Sequence, residues 1–188
     1  MSSVDRAEGL VPVGHRSGGV VRYSTARWTI ATAYTTAIYN GDLVSVNSTN
    51  KNNLEKGTPS GDDFVGAFAG VQYTASDGEV VFKKYWDGVS ASRTNIKAYV
   101  YDDPDILFRV GGDEAGTAAG IGSTADIGAS TTGSTLTGKS NMTLDVSNIG
   151  TGVNLQIVDV WPAADNAVTD AYPQYVVYIN EHRLNVAG

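Results

Sequence analysis

Residues 65–86 read VGAFAGVQYTASDGEVVFKKYW, and this stretch decides the fold class. In its first half, side chains suited to a buried face recur at every second residue. This pattern predicts a strand that carries five side chains on one face: Val65, Ala67, Ala69, Val71 and Tyr73. Asp77-Gly78 then supplies the positive-φ position that a tight turn needs. Residues 80–86 return as the partner strand, so the stretch predicts a β-hairpin.

Short apolar or alternating runs continue on both sides of this hairpin, each bounded by turn residues. They predict strands over residues 43–46, 96–101, 106–110, 142–146, 155–161 and 175–180. Between residues 111 and 138 large apolar side chains are scarce, and only Ala115 to Ile127 is a candidate for a short helix. The sequence therefore predicts an all-β fold, a small antiparallel barrel or sandwich with at most one short helix.

The composition of the 188-residue chain agrees with this fold class and excludes several functions. Only 18% of the residues are charged, which disfavours a helical bundle, and 22 are Gly. The lack of Cys excludes disulfide frameworks, thiolate zinc sites and cysteine nucleophiles, and it is compatible with assembly in a reducing cytoplasm. The start of the chain lacks the pattern of a signal peptide, and no apolar run approaches the roughly 18 residues that cross a bilayer. We therefore expect a soluble protein without a membrane partner.

The first 40 residues differ from the rest, so we divide the chain into an extended N-terminal arm at 1–40 and a barrel or sandwich domain at 41–188. Acidic residues nearly disappear between His15 and Asn40, and arginine and aromatic side chains take their place. Such side chains are enriched at protein–protein contacts. Together with two aromatic residues of the hairpin, they form the candidate set of contact residues: Arg16, Arg22, Tyr23, Arg27, Trp28, Tyr34, Tyr39, Tyr85 and Trp86. The alternative is that this segment is a strand lying on its own domain.

The charge distribution disfavours a nucleic-acid partner. The net charge is −7, and residues 101–188 hold 3 basic against 11 acidic residues. Proteins that bind nucleic acid use clustered Lys and Arg to displace counterions from phosphates. An acidic half opposes such binding and favours a solvated outer surface.

One segment matches the phosphate-binding loop pattern G-x-x-x-x-G-K-[ST], namely residues 133–140, GSTLTGKS. That motif needs a buried strand before it and a helix after it, because the helix N-terminus faces the phosphates. Here the preceding residues are small and polar, and the following residues alternate as in a strand. We therefore interpret the match as fortuitous and predict no cofactor.

Catalytic groups are sparse. The chain has two histidines, His15 and His182, which are not spaced as metal ligands, and it has no G-x-S-x-G motif. We predict that the protein is not an enzyme and assign no catalytic or metal-binding residue. The densest carboxylate group, Asp102, Asp103 and Asp105, predicts an exposed turn between two strands, and weak calcium binding there is the alternative.

Several segments together resemble the head decoration, or capsid-stabilising, proteins of tailed bacteriophages, especially the marine phage type. The residues that carry the resemblance are Gly66 to Thr74, Asp77-Gly78, Lys84 to Trp86, Ala98 to Phe108 and Thr137 to Ser140. Their order and spacing are similar to that family across residues 65–146.

The resemblance implies a β-barrel-like domain bound to the outside of an icosahedral head, with no catalytic residues. We accordingly expect a virion protein assembled in the host bacterial cytoplasm. Its expected partners are the major capsid protein, reached through the arm or a Tyr-rich face, and further copies of itself, with a trimer as the candidate form. The alternative function is a carbohydrate- or receptor-binding module of a phage fibre or spike.

Overall fold

Two antiparallel sheets make up the fold in the computed structural model, which describes residues 7–61, 63–89, 92–128 and 132–184. Eleven strands lie in these residues: β1 (Val11–His15), β2 (Ser24–Trp28), β3 (Leu43–Val46), β4 (Leu54–Lys56), β5 (Phe64–Thr74), β6 (Val80–Lys83), β7 (Thr94–Tyr101), β8 (Ile106–Gly111), β9 (Thr124–Ala125), β10 (Leu155–Val160) and β11 (Gln174–Ile179). The five-stranded sheet has the order β1-β8-β11-β10-β9. The six-stranded sheet has the order β2-β7-β5-β3-β4, with β6 also paired to β5.

The two sheets share no strand, so the described residues form a sandwich and not a closed barrel. The all-β prediction is confirmed in its sandwich form. The predicted hairpin is also confirmed, since β5 and β6 pair from Val71↔Lys83 to Thr74↔Val80 across the turn at Gly78.

The candidate helix is not formed, which agrees with the expectation of at most one short helix, and one predicted strand is wrong. The segment from Ala115 to Ile127 holds a single 3-10 turn and the short strand β9 instead of an α-helix. Its glycines weaken any helix, and pairing of β9 with β10 satisfies backbone groups that a helix would otherwise use. The run at 142–146 forms no strand, and Leu144 makes only isolated bridges to Gly112 and Ile127.

Two apolar cores lie on opposite faces of the six-stranded sheet. The first core lies between the sheets and joins Phe64 and Ala67 of β5 to Phe108, Leu155 and Val177 of the other sheet. The second lies beneath the opposite face: the sheet contributes Trp28, Val44, Phe68, Val71 and Val100, and the connecting segments contribute Ile30, Ile38 and Trp86. Since Ile38 and Trp86 exchange backbone hydrogen bonds of 3.0 and 2.7 Å, residues 30–40 are held as a cover over this second core.

Bulges in β5 change which side chains share a face. The register with β3 shifts between Phe64 and Gly66, and the register with β7 shifts between Phe68 and Gly70. As a result Ala67 packs between the sheets, while Val65 and Tyr73 join Phe68 in the second core. The prediction that Ala67 lies on the same face as Val65 and Tyr73, opposite Phe68, is therefore wrong, because each bulge inserts an extra residue into the alternation.

The described part of the segment 1–40 lies on its own domain, which is the alternative considered from the sequence. β1 pairs with β8 and β2 pairs with β7, so the segment supplies one edge strand to each sheet. Leu10 is buried in the first core, and Trp28 in the second. Residues 7–40 are thus integral to the sandwich and do not form a projecting arm.

Candidate interaction surface

Four aromatic side chains form a continuous cluster, the aromatic face, which consists of exposed Tyr23 and Phe82 and half-buried Tyr99 and Tyr101. Tyr23 meets Tyr99 and Tyr101 edge to face, with ring centroids 5.6 and 5.8 Å apart. The ring of Phe82 lies 5.5 Å from that of Tyr99. Tyr23 is 49% exposed and Phe82 is 60% exposed, so large ring surfaces face solvent.

Strand alternation places these rings together. In β7, Ala98 and Val100 point into the second core, so Tyr99 and Tyr101 must point to the opposite face of the sheet. β5 runs between β6 and β7, and its Gly70 pairs with Tyr99. A Cβ at Gly70 would lie 2.9 Å from the Phe82 ring, so this glycine leaves the space in which Phe82 reaches Tyr99.

The other sheet does not cover this part of the six-stranded sheet. At one end of β5, Phe64 and Ala67 on this sheet face pack in the core between the sheets, and Tyr101 lies at the margin of that core. Farther along, the same face presents exposed Phe82, and Val80, two residues earlier in β6, is 61% exposed. An apolar sheet face of this kind is typical of a site that another molecule covers.

Hydroxyl groups and one cation lie beside the rings of the aromatic face, since exposed Lys97 precedes Tyr99 by two residues in β7 and so points to the same side of the sheet. Burial, with a smaller contribution from neighbouring Tyr23, raises the pKa of Tyr101, so its phenol stays protonated at physiological pH. The Tyr99 hydroxyl donates a 2.6 Å hydrogen bond to the Gln72 side-chain carbonyl. The surface therefore offers ring faces, hydroxyl groups and a flanking ammonium group, and it suits contact with protein.

The structure does not gather the predicted contact residues into one site. Arg16 lies over the Tyr178 ring and 3.7 Å from Asp105, whereas Arg27 pairs with Asp102 at 3.6 Å. Both arginines are exposed, as are Arg22 and Tyr23, but only Tyr23 belongs to the aromatic face. Half-buried Tyr34 and Tyr85 lie elsewhere; the Tyr34 hydroxyl accepts a hydrogen bond from the Lys56 amide, and Tyr85 stacks on Tyr39 at 5.4 Å. A contact role for Arg16, Arg22, Tyr23, Arg27, Tyr34 and Tyr85 stays a prediction.

Three members of the predicted contact set are core residues. The exposed fraction is 6% for Trp28, 8% for Tyr39 and 0% for Trp86. The Trp86 indole N–H donates to the Tyr34 carbonyl at 3.2 Å, which holds the ring within the second core. These three rings offer no surface to a partner, so the expectation that they are contact residues is wrong in this fold. An alternation pattern cannot distinguish two buried faces from one buried and one exposed face.

A second exposed apolar feature is Leu136, which is 94% exposed at the tip of the loop that resembles a phosphate-binding motif. The loop closes through a 2.7 Å hydrogen bond from the Gly138 amide to the Ser134 carbonyl. Beside it, a shallow groove of about 220 Å³ runs along Lys84 and Tyr85. Neither Leu136 nor Phe82 belongs to the predicted contact residues. Phe82 was detectable, because it alternates with Val81 in a predicted strand.

The same loop lacks the geometry of a phosphate site. Lys139 pairs with Glu8, and the Ser140 hydroxyl is buried and donates to Asp42. Asp42 is also bonded to the Lys56 ammonium at 2.9 Å, and both side chains are almost fully buried. Burial raises the pKa of Asp42, while Lys56 and the hydrogen bond from Ser140 oppose the shift. The motif thus anchors a buried ion pair that joins the loop to β4.

One group of potential metal ligands occurs among the described residues. A ligand atom from each of His15, Asp103 and Asp105 lies within 4.8 Å of the others. Asp102 does not belong to this group, because its carboxylate accepts a 2.9 Å hydrogen bond from the Trp28 indole. None of the described helices has the length and apolar character needed to cross a membrane.

Comparison of the chain with protein-family models, curated proteins and solved structures returns no match. The class of protein is therefore defined by the molecule itself: an antiparallel β-sandwich with an uncovered aromatic sheet face.

Proposed function

We propose that this chain is a structural virion protein that binds the outer surface of a phage capsid and stabilises it by bridging neighbouring subunits. The aromatic face carries the proposal. The rings of Tyr23 and Phe82 are about half exposed, and Val80 beside them is equally exposed. Burial of this apolar surface against a protein partner would contribute a favourable free energy of binding. Aromatic side chains are also the residue type most enriched at the energetic centres of protein interfaces.

The segments that resemble head decoration proteins support the proposal by their location. Gly66 to Thr74 forms most of β5, Asp77-Gly78 forms the turn to β6, and Ala98 to Phe108 spans the end of β7 and the start of β8. Two members of the aromatic face, Tyr99 and Tyr101, lie in these segments. The resemblance and the exposed surface therefore concern the same region of the six-stranded sheet.

The charge of the chain supports an outer location and protein partners. With a net charge of −7, the protein is repelled by packaged DNA, so we place it on the outside of the shell without a nucleic-acid or membrane partner. The proposed partners are the major capsid protein and other copies of this chain, for which a trimer is the candidate. Repetition around the shell raises the effective concentration and strengthens a weak individual contact. Assembly in the host bacterial cytoplasm follows from this role.

Co-sedimentation with capsids of the parent phage, purified without this protein, tests the proposal. Phe82→Ser should abolish binding, yet it should lower the free energy of unfolding by only about 1 kcal/mol because the ring is already largely exposed. Val158→Ser is the matched control, since Val158 is 43% exposed on the five-stranded sheet. Wild-type occupancy by the Phe82 variant would refute the role of the aromatic face, and a wild-type protein that never co-sediments would refute the function.

A glycan array distinguishes the alternative function. Exposed tyrosine rings beside the Gln72 amide also offer stacking and hydrogen-bonding groups to a sugar. Saturable binding to one class of glycan, together with no affinity for capsids, would assign the chain to the carbohydrate-binding modules of fibres or spikes.

A further inference from the structure

We propose that His15, Asp103 and Asp105 form a site for a divalent metal ion of the zinc class, which fastens the start of the chain to the turn between β7 and β8. This site is separate from the aromatic face and does not depend on the capsid role. Residues far apart in the sequence create it. Pairing of β1 with β8 sets His15 opposite Ile106, and the Arg16 amide donates a 2.8 Å hydrogen bond to the Asp105 carbonyl.

The ring of His15 is held with one nitrogen toward the carboxylates. Its side chain is only 9% exposed, and Gly19 lies against it, such that a Cβ on that glycine would come within 3.2 Å of the ring. His15 Nε2 lies 3.2 Å from Asp103 Oδ2. On the opposite side, Nδ1 lies 3.0 Å from the Ser17 hydroxyl. The Ser17 amide also donates to Nδ1 at 3.3 Å, so without a metal Nε2 carries the proton and donates it to Asp103. A metal bound at Nε2 displaces that proton, and the neutral ring then carries its proton on Nδ1 and donates it to the Ser17 hydroxyl.

This arrangement has the outer contact that metal-binding histidines generally require. A ligating imidazole almost always uses its second nitrogen for a hydrogen bond that orients the ring. Asp103 is oriented as well, because its Oδ1 accepts a 2.9 Å hydrogen bond from the Asp105 amide, which leaves Oδ2 facing His15. Two of the three donors are therefore positioned before a metal binds.

The third donor must move slightly. Zinc–ligand bonds of 2.0–2.2 Å in a tetrahedron place donor atoms about 3.4 Å apart, whereas the three candidate donors lie within 4.8 Å of one another. The Asp105 side chain is 48% exposed on a turn, so its carboxylate is free to rotate. Its ion pair with Arg16, 3.7 Å long and equally exposed, is weak enough for a metal to displace.

The donor set selects the class of metal. One imidazole nitrogen with two carboxylates suits zinc and related transition metals, whereas calcium prefers six to eight oxygen ligands. The carboxylate that would be needed for a calcium loop, Asp102, is engaged with Trp28 and Arg27. Three protein ligands leave room for water in the fourth position. We assign this site a stabilising role only, because a metal bound here links residues 88 positions apart in the chain.

Titration calorimetry with zinc chloride on the tag-free, chelator-treated full-length protein tests the proposal. We expect one zinc per chain. At a zinc concentration 100-fold above the dissociation constant, the unfolding temperature should rise by about 5–10 °C for a chain of this size. His15→Gln and Asp105→Asn should each weaken zinc binding at least about tenfold. Asp77→Asn, which changes an exposed aspartate of the β5–β6 turn, should not.

Two further measurements keep the result interpretable if the His15 variant folds poorly. Arg16→Ala should retain or increase the affinity, because it removes the cation that competes for Asp105. Binding of zinc, which is diamagnetic, to the wild-type protein should shift the imidazole NMR signals of His15 much more than those of His182, which lies near Asp103 but is not a ligand. The proposal is overturned by the absence of zinc binding up to about 1 mM, by equal affinity in the Asp105→Asn variant, or by binding of calcium in preference to zinc.

Discussion

Gly66→Ala should be the most damaging single-methyl substitution in β5, and the structure gives the reason. Gly66 has a φ of +146°, a conformation that side-chain-bearing residues rarely adopt. A Cβ at this position would lie 2.0 Å from the carbonyl oxygen of Tyr101 and 2.8 Å from its carbonyl carbon. Because both atoms belong to the backbone of β7, no side-chain rotation relieves the collision. The two central strands would have to separate.

The cost follows from two contributions. Separation of β5 and β7 near this residue removes one or two backbone hydrogen bonds, each worth about 1 kcal/mol. Forcing an L-residue into this backbone conformation adds about 1–2 kcal/mol. The variant should therefore lose about 3 kcal/mol, which for a chain of this size lowers the unfolding temperature by about 6–12 °C.

Gly78→Ala is the matched control. Gly78 also has a positive φ, +88°, but a Cβ added there meets nothing within 4 Å. It should cost only the conformational strain of about 1–2 kcal/mol. Urea unfolding followed by the fluorescence of the buried tryptophans measures both variants. Equal losses in the two variants would show that the collision with Tyr101 does not occur and would refute the description of the bulge.

Two further predictions concern buried charge and pH. Lys56→Met should cost about 3–5 kcal/mol in urea unfolding because it leaves the buried Asp42 carboxylate without its cation. Lys51→Met, which removes the exposed partner of Asp63, should cost less than about 1 kcal/mol, and similar losses would contradict the importance of the buried pair. Stability should also fall as the pH drops below about 6.5, because burial holds the pKa of His182 below that value and the unfolded chain then binds the proton more readily. His182→Gln should flatten the fall in the urea midpoint between pH 7 and 5, whereas an unchanged slope would exclude His182 as its cause.

Local patterns predicted much of the fold. The β5–β6 hairpin and the strands that became β3, β7, β8, β10 and β11 follow from alternation and turn residues. In each of these cases, neighbouring residues are enough to specify the backbone conformation. The sandwich class then follows from the number of short strands.

Long-range pairing accounts for what local patterns missed. Residues 11–15 and 24–28 carry weak strand signals, and they become strands because β8 and β7 offer them hydrogen-bonding edges. The run at 142–146 has a strong strand signal, but it meets its neighbours only through isolated bridges at Leu144 and joins neither sheet. Whether a segment pairs thus depends on the sheet around it as much as on its own residues.

The candidate sites were also predictable only in part, because local patterns reveal residue types but not which distant residues meet in the fold. The strand predicted over residues 96–101 places Tyr99 and Tyr101 on one face, but the contribution of Phe82 depends on the space above Gly70. The three acids from Asp102 to Asp105 were visible in the sequence as one group. Only the fold separates Asp102, which binds Trp28, from the other two, which face His15.

The order of strands has a consequence for how the chain folds during synthesis. β11, which follows the other four strands of its sheet in the sequence, occupies the middle of that sheet between β8 and β10. β1 is synthesised about 90 residues before its partner β8, so it has no neighbouring strand to pair with in the meantime. The five-stranded sheet therefore cannot form until β11 has been synthesised, and until then β8 and β10 each lack their central partner.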